Sequence, residues 1–175
     1  STVSAPVYKL YNNRLKEVRT LAENSELASR FESAPRREFI TINSDGVDLN
    51  AYMVRPADFQ PSRRYSVIMW LYNGPGSQEV LDRWSIDWQQ AAAESGFIVG
   101  CVDGRGTGGR GRAFQDVVYC NLGHYETIDQ TNAARYLATL PYVDPKRIGV
   151  AGWSYGGYET LMCAQADNTP FAAAV

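Results

Sequence analysis

The segment Gly152–Gly157 carries the residue types of a serine nucleophile held on a sharp turn. It reads Gly-Trp-Ser-Tyr-Gly-Gly and fits the pattern G-x-S-x-G. In such a turn the serine backbone is strained, and Gly152 and Gly156 must be small because a strand and a helix nearly touch there. We expect the turn to lift the Ser154 hydroxyl above a sheet and to place the Tyr155 N–H beside a developing oxyanion. The pattern therefore predicts nucleophilic acyl transfer.

A serine nucleophile needs a base, and the sequence has no histidine in the expected place. His124 is the only histidine, and it precedes Ser154, whereas with this turn the acid and then the histidine follow the serine. Glu159 and Asp167 lie on or just past the helix predicted after the serine, so neither can orient a histidine. We interpret His124 as a surface residue and expect the base to follow Val175 in a longer protein.

A second glycine-rich segment, Gly104–Gly109, formally fits the G-x-G-x-x-G pattern of a dinucleotide site. That pattern belongs in the first βαβ unit, with an acidic residue about 20 residues further on. Here a parallel strand is predicted before it, and no clear second strand follows. We therefore favour a wide loop at the carboxyl end of a strand, held by hydrogen bonds of Asp103 and Arg105, and keep dinucleotide binding as the weaker alternative.

Strands that alternate with helices from residue 66 onward must position the serine, and they predict an α/β fold with a mostly parallel sheet. The predicted strands, apolar enough to be buried on both faces, are 66–72, 97–103 and 147–152. The predicted helices are 87–94, 126–140 and 155–166. The alternating pattern around Asp45-Gly46 predicts a β-hairpin over 39–54 as an antiparallel edge. Residues 171–175 begin one more buried strand, so we expect the domain to continue further.

The first 38 residues differ from the rest in their pattern of polar and apolar residues. Residues 1–12 are predicted to be extended chain. Residues 13–38 are predicted to be a linker or arm with a short helix over SELASRF, which Asn24 could cap. The domain that carries the serine is therefore predicted to occupy residues 39–175.

Composition excludes several classes of protein. Lys plus Arg is 17 and Asp plus Glu is 19, so the net charge of -2 provides no basic surface for nucleic acid or anionic lipid. No apolar run approaches the roughly 18 residues that span a bilayer. The three cysteines, Cys101, Cys120 and Cys163, are widely spaced and odd in number, which argues against a disulfide framework or a zinc site. Two of them lie in apolar stretches and are predicted to be core residues, and no metal site is predicted.

Four segments closely resemble the catalytic domain of the prolyl oligopeptidase family of serine peptidases, and within it the bacterial members of the dipeptidyl peptidase IV subfamily. These segments are NGPGSQ, VDGRGTGGRG, LGHYETIDQ and YVDPKRIGVAGWSYGGYETL. The resemblance implies the N-terminal part of an α/β-hydrolase fold, with helices on both faces of the sheet, truncated before the last strands. It also implies a β-propeller before this domain, with residues 1–12 resembling its end.

The resemblance assigns roles to individual residues. Ser154 matches the nucleophile, and the Tyr155 N–H matches one oxyanion donor, with the Tyr155 ring as a wall of the pocket for the residue before the scissile bond. The hydroxyl of Tyr72 matches the second oxyanion donor. The structural positions of the turn are Gly152, Trp153 and Gly156. The Asp and His of the family's triad have no counterpart in these 175 residues, and neither do the acidic residues that bind the substrate's amino group.

The activity implied is the removal of N-terminal dipeptides with Pro or Ala at the second position, through an acyl-enzyme and without metal or organic cofactor. Peptides are thus the expected partners, a homodimeric parent protein stays open, and the resemblance implies a cell-envelope or secreted setting. The 175 residues alone are expected to be inactive. Two alternatives remain: an acylaminoacyl peptidase or carboxylesterase with the same turn, and a non-catalytic interaction fragment.

Overall fold

A mixed six-stranded sheet and a separate two-stranded hairpin make up the computed structural model, which describes residues 2–175. The strands are Tyr8–Tyr11 (β1), Glu17–Ala22 (β2), Arg37–Ser44 (β3), Val47–Val54 (β4), Tyr65–Leu71 (β5), Ile98–Asp103 (β6), Val143–Gly152 (β7) and Ala173–Ala174 (β8). The helices are Ser25–Arg30 (α1), Trp88–Glu94 (α2), Arg112–Gln115 (α3), His124–Ala138 (α4) and Tyr155–Gln165 (α5). A 3-10 turn, Asp116–Val118, follows α3.

The order of the large sheet is β3-β4-β6-β5-β7-β8. β5, β6, β7 and β8 run parallel, while β3 and β4 form the hairpin around Asp45-Gly46 and join β6 in antiparallel register. The predicted fold class, a mostly parallel α/β sheet with an antiparallel hairpin at its edge, is therefore confirmed.

Helices cover both faces of this sheet, because successive side chains of a strand point to opposite sides. On β6, Ile98 and Val102 pack in one cluster with Leu137 of α4. Val99, between them, packs in a different cluster with Ala93 of α2. α5 packs against β7 and β5, where its Cys163 shares a buried cluster with Val150 and Leu71.

The central strand β5 differs from the prediction that it is buried on both faces. Val67 and Met69 are buried under the helices, whereas Ile68 and Trp70, which alternate with them, are only half-buried. Ile68 and Trp70 line an apolar groove together with Trp88 and with residues of β7 and β8. The apolar run alone does not show this difference, because the burial of each face depends on the elements that pack against it.

The end of the chain also differs from its prediction. Residues 171–175 were expected to begin a buried strand, and Ala173–Ala174 does form β8, parallel to β7. Both of its residues are exposed, because β8 is the outermost strand of the sheet.

The N-terminal segment contains a strand that sequence analysis missed. β2 lies in the predicted linker 13–38 and pairs antiparallel with β1, and nearly every residue of the two strands is exposed. The short helix α1 is confirmed, but the cap by Asn24 is wrong. Asn24 has a φ of 54°, and its side-chain amide donates to the Pro6 carbonyl at 2.7 Å instead of capping the helix.

The segment Gly104–Gly109 is a loop held by hydrogen bonds, as predicted. The Asp103 carboxylate accepts from the backbone N–H groups of Glu79 and Val80, at 3.0 and 2.9 Å. Arg105 forms an ion pair with the completely buried Asp129 at 2.7 Å. The helix that follows, α3, has only four residues. A dinucleotide site requires a helix that begins directly at such a loop, so this geometry does not support it.

Two of the cysteines, Cys101 and Cys163, are buried, Cys120 is exposed, and all three thiols are free. This confirms the prediction of two core cysteines. Within residues 2–175 no helix has both the length and the apolar character needed to cross a bilayer.

Candidate active site

The turn between β7 and α5 has the strained geometry that its sequence predicts. β7 ends at Gly152 and α5 begins at Tyr155. Ser154, between them, has φ 59° and ψ −117°, a combination that non-glycine residues rarely adopt. Such a conformation costs about 1–3 kcal/mol and persists only where the surrounding structure enforces it. Ser154 is exposed, so its hydroxyl is accessible to a ligand.

Two close backbone contacts enforce this conformation. A Cβ on Gly152 would overlap the Gly156 carbonyl oxygen and lie 2.7 Å from the Leu71 carbonyl oxygen. A Cβ on Gly156 would overlap the same Leu71 oxygen. Direct backbone contact therefore joins the end of β5, the end of β7 and the start of α5. Because of this contact, Ser154 cannot take a relaxed backbone conformation between the strand and the helix.

Tyr155 is the first residue of α5, where backbone N–H groups have no partner within the helix. The N–H groups of Gly157 and Tyr158 both donate to the Ser154 carbonyl, at 3.0 and 3.1 Å. Among residues 2–175 no acceptor is paired with the Tyr155 N–H. This N–H is thus available at a helix N-terminus, where the helix dipole favours negative charge.

Tyr72 reaches the same edge of the sheet from the neighbouring strand. β5 and β7 are parallel and adjacent, with Leu71 opposite Gly152, so the residues after both strands lie side by side. The ring centroids of Tyr72 and Tyr155 are 6.3 Å apart. The structure therefore brings together the three residues that the resemblance singles out: the serine and the two tyrosines.

Asn73 anchors the chain directly after Tyr72, and sequence analysis missed it. It is buried and has a φ of 54°. Its side-chain oxygen accepts from the Gly104 N–H at 2.8 Å and from the Gln130 side-chain amide at 3.1 Å. Gln130 also donates to the Val102 carbonyl at 2.9 Å. These bonds tie the Tyr72 loop to the end of β6 and to α4. The only signal in the sequence was Asn-Gly-Pro, which predicts a turn but no partner.

A second missed residue, Glu126 on α4, contacts the side chain of Tyr155. Glu126 is completely buried, and its Oε1 accepts the Tyr155 hydroxyl at 3.0 Å. Burial, together with the charge of Glu126, raises the pKa of the Tyr155 hydroxyl. The hydroxyl therefore stays protonated and can donate across the ordinary pH range.

Glu159 is a further buried acid, one turn along α5 from Tyr155. Its Oε1 accepts the Thr127 hydroxyl at 2.8 Å, and the Cys163 Sγ lies 3.7 Å from the same oxygen. Burial raises the pKa of Glu159 to about 7, and the nearby charge of Glu126 adds to the effect. Glu159 is therefore an acid that holds its proton up to about neutral pH inside the support of the site.

The remaining predicted residues are not part of this cluster. His124 is exposed at the start of α4, its ring lies against Tyr125, and no hydrogen bond joins it to Ser154 among residues 2–175. Trp153 is exposed at the turn, and Asp167 lies just past the end of α5. The described residues thus provide a candidate nucleophile and two candidate oxyanion donors, and no hydrogen-bonded histidine beside the serine.

Known proteins resemble this chain closely in sequence and fold. The model of the prolyl oligopeptidase family matches residues 84–175. A probable dipeptidyl-aminopeptidase B of Uncinocarpus reesii is 45% identical over 151 residues, which are 85% of this chain and 16% of that protein. Dipeptidyl-aminopeptidase B of Aspergillus niger is 42% identical over 158 residues, 89% of this chain and 18% of that protein.

The crystal structure of Porphyromonas gingivalis dipeptidyl peptidase 4 superposes with a TM-score of 0.91 and 45% sequence identity, over 98% of this chain and 25% of that chain. The fold is therefore that of an α/β-hydrolase domain. The chain spans about a sixth of the length of the curated relatives it matches.

We predict that Gly156→Ala disrupts the turn. The new methyl group would overlap the Leu71 carbonyl oxygen, so backbone must move, at a cost of about 3 kcal/mol. The full-length variant should show a lower thermal midpoint and should lose labelling of Ser154 by a fluorophosphonate. Gly157→Ala is the matched control, because its Cβ would lie 3.6 Å from the Gly152 carbonyl oxygen, an ordinary contact. Equal behaviour of the two variants would contradict the close contact.

We also predict that Glu159 makes the protein less stable as pH rises. The folded state raises the pKa of this carboxyl from 4.5 to about 7, so the stabilisation of its protonated form is complete below 4.5 and is lost as pH rises through 7. Between about pH 4 and 8, the difference in unfolding free energy between wild type and Glu159→Gln should change by about 3 kcal/mol. Glu26→Gln, at an exposed residue, serves as the control. The prediction is refuted if the difference in unfolding free energy between wild type and Glu159→Gln changes with pH no more than the difference for this control.

Proposed function

This chain belongs to the prolyl oligopeptidase family, and on that premise we propose that the full-length protein is a serine peptidase that removes dipeptides from peptide N-termini. One observation carries the proposal: an exposed serine lies in a strained strand-to-helix turn next to Tyr155, whose ring is 6.3 Å from that of Tyr72. We propose that these two tyrosines are the oxyanion donors. The names of the relatives, which include dipeptidyl-aminopeptidase B and dipeptidyl peptidase 4, support the dipeptidyl specificity. Peptides with Pro or Ala at the second position are the proposed substrates.

The proposed mechanism begins with attack of the Ser154 hydroxyl oxygen on the carbonyl carbon of the scissile bond. The Tyr155 N–H and the Tyr72 hydroxyl donate to the oxyanion that forms on the carbonyl oxygen. A histidine outside residues 2–175 takes the serine proton and gives it to the leaving amine, which leaves the dipeptide as an ester on Ser154. Water then hydrolyses this ester by the reverse sequence of proton transfers and frees the serine.

The structure also supports a proposal for the domains. In the described part of the chain, β1 and β2 pair with each other and with no further strand, and both are largely exposed. An isolated hairpin is at best marginally stable in water. We propose that this hairpin belongs to the end of a preceding β-propeller, and that the catalytic domain begins near residue 39. The hairpin extends past residue 12, where the propeller segment was predicted to end. The proposed end of the propeller therefore lies after Ala22.

The proposed activity is tested with three substrates offered to the full-length protein: a Gly-Pro amide reporter, the same reporter with an acetylated N-terminus, and a short acyl ester. We expect turnover of the free Gly-Pro reporter with release of intact dipeptide, and loss of that turnover in Ser154→Ala. Preference for the acetylated reporter would identify an acylaminoacyl peptidase, and preference for the ester a carboxylesterase. Either preference would overturn the proposal.

We predict that Tyr72→Phe lowers kcat by a factor of about 10²–10³, because it removes one oxyanion donor and keeps the ring. KM should change little, since the donor acts mainly on the charge that develops in the transition state. Tyr119→Phe is the matched control, because Tyr119 is 82% exposed. An unchanged kcat in Tyr72→Phe would remove this hydroxyl from the mechanism.

A further inference from the structure

Glu126 lies at a position where a carboxyl group needs hydrogen-bond partners from the protein. Its side chain is completely buried, and burial of a carboxyl group is unfavourable unless hydrogen bonds compensate for the lost water. Both of its oxygens have a partner: Oε1 accepts the Tyr155 hydroxyl at 3.0 Å, and Oε2 accepts the Gly123 N–H at 3.1 Å. Glu126 therefore joins the start of α4 to the side chain that follows the serine.

These two bonds hold the Tyr155 ring at its far end. The backbone of Tyr155 is held at the turn by the contact between β5, β7 and α5 described above. Its hydroxyl is held by α4 through Glu126, and its ring packs edge-on against Tyr158, with centroids 5.4 Å apart. Because both ends of this side chain are attached to regular structure, its ring has a fixed position beside Ser154.

The charges around Tyr155 keep this bond in one direction. The pKa of the Tyr155 hydroxyl is raised, so the hydroxyl donates and Glu126 accepts. The second buried acid nearby, Glu159, accepts from Thr127 instead and has no hydrogen bond to Tyr155. Of these two buried glutamates, Glu126 alone has a hydrogen bond to the tyrosine within residues 2–175.

We propose that Glu126 is a positioning residue that fixes the Tyr155 ring as a rigid wall of the pocket and thereby sets the preference for proline next to the scissile bond. This rests on the proposed function and on the role that the family resemblance gives the Tyr155 ring, as a wall of the pocket for the residue before the scissile bond. A proline ring has a fixed shape and fits only a wall in one position, whereas an alanine methyl group tolerates movement of the wall. Loss of the bond therefore lowers turnover of proline substrates more than that of alanine substrates.

Glu126→Met tests the bond with little change in size, because the thioether replaces both carboxylate oxygens and offers the Tyr155 hydroxyl no comparable acceptor. An amide at this position would not serve, since its N–H could donate to the Tyr155 oxygen and keep the bond in the opposite direction. In the full-length protein we expect the ratio of kcat/KM for Gly-Pro over Gly-Ala reporters to fall about tenfold. Tyr155→Phe removes the other partner and should give a similar fall. The double variant should show no larger fall than either single variant, because both substitutions remove the same bond.

Glu94→Met is the matched control, because Glu94 is exposed at the end of α2 and lies outside the site, and it should keep the wild-type ratio. Wild-type selectivity in folded Glu126→Met, or effects of the two single variants that multiply in the double variant, would overturn the proposal. Should Glu126→Met fail to fold, Tyr155→Phe alone decides, and an unchanged ratio in it refutes the role of the bond.

A second measurement separates this inference from the proposed function. The rate at which a fluorophosphonate that carries a cyclic side group labels Ser154 depends on how that group fits against the Tyr155 ring, and it does not require cleavage of a peptide. We expect labelling about tenfold slower in Glu126→Met and Tyr155→Phe, and unchanged in Glu94→Met. A protein that cleaves no Gly-Pro reporter but shows this pattern would overturn the dipeptidyl activity and the proline preference, and would keep the positioning of Tyr155. Equal labelling in all variants would overturn the positioning itself.

Discussion

The close backbone contact between Gly152, Gly156 and Leu71 is the constraint on which the rest of the site depends. It allows β7 to turn into α5 within two residues, and it leaves Ser154 in a conformation that an unconstrained chain would avoid. The strain of about 1–3 kcal/mol is offset by the burial of β5, β7 and α5 against one another. The proposed nucleophile is thereby held in place before any substrate binds.

Buried polar groups connect the turn and its neighbouring loops to more distant elements of the fold. Asn73 ties the loop after β5 to β6 and α4, and Glu126 ties the start of α4 to Tyr155. Asp129, also on α4, holds Arg105 in the loop after β6. Each of these groups is buried, and a buried polar group without its partner would destabilise the fold. The buried groups that support the site therefore require particular hydrogen-bonding partners, whereas apolar side chains of the same shape would not.

Sequence patterns determined those features that depend on neighbouring residues. The hairpin around Asp45-Gly46, the alternation of strands and helices, and the turn with Ser154 all follow from short-range periodicity and from residue size. The resemblance added Tyr72, whose place beside Tyr155 depends on the adjacency of β5 and β7. These local and family signals were sufficient for the fold class, and they named the three residues that form the candidate site.

Only the tertiary structure decided which buried polar groups support those residues. Tyr155 and Glu126 are 29 positions apart, and Asn73 and Gln130 are 57 apart, so no local pattern joins them. The half-buried face of β5 was decided in the same way, by the elements that pack against each side of the strand. The physical reason is that periodicity reports which side of an element faces the core, whereas a hydrogen-bond partner is selected by the packing of whole elements.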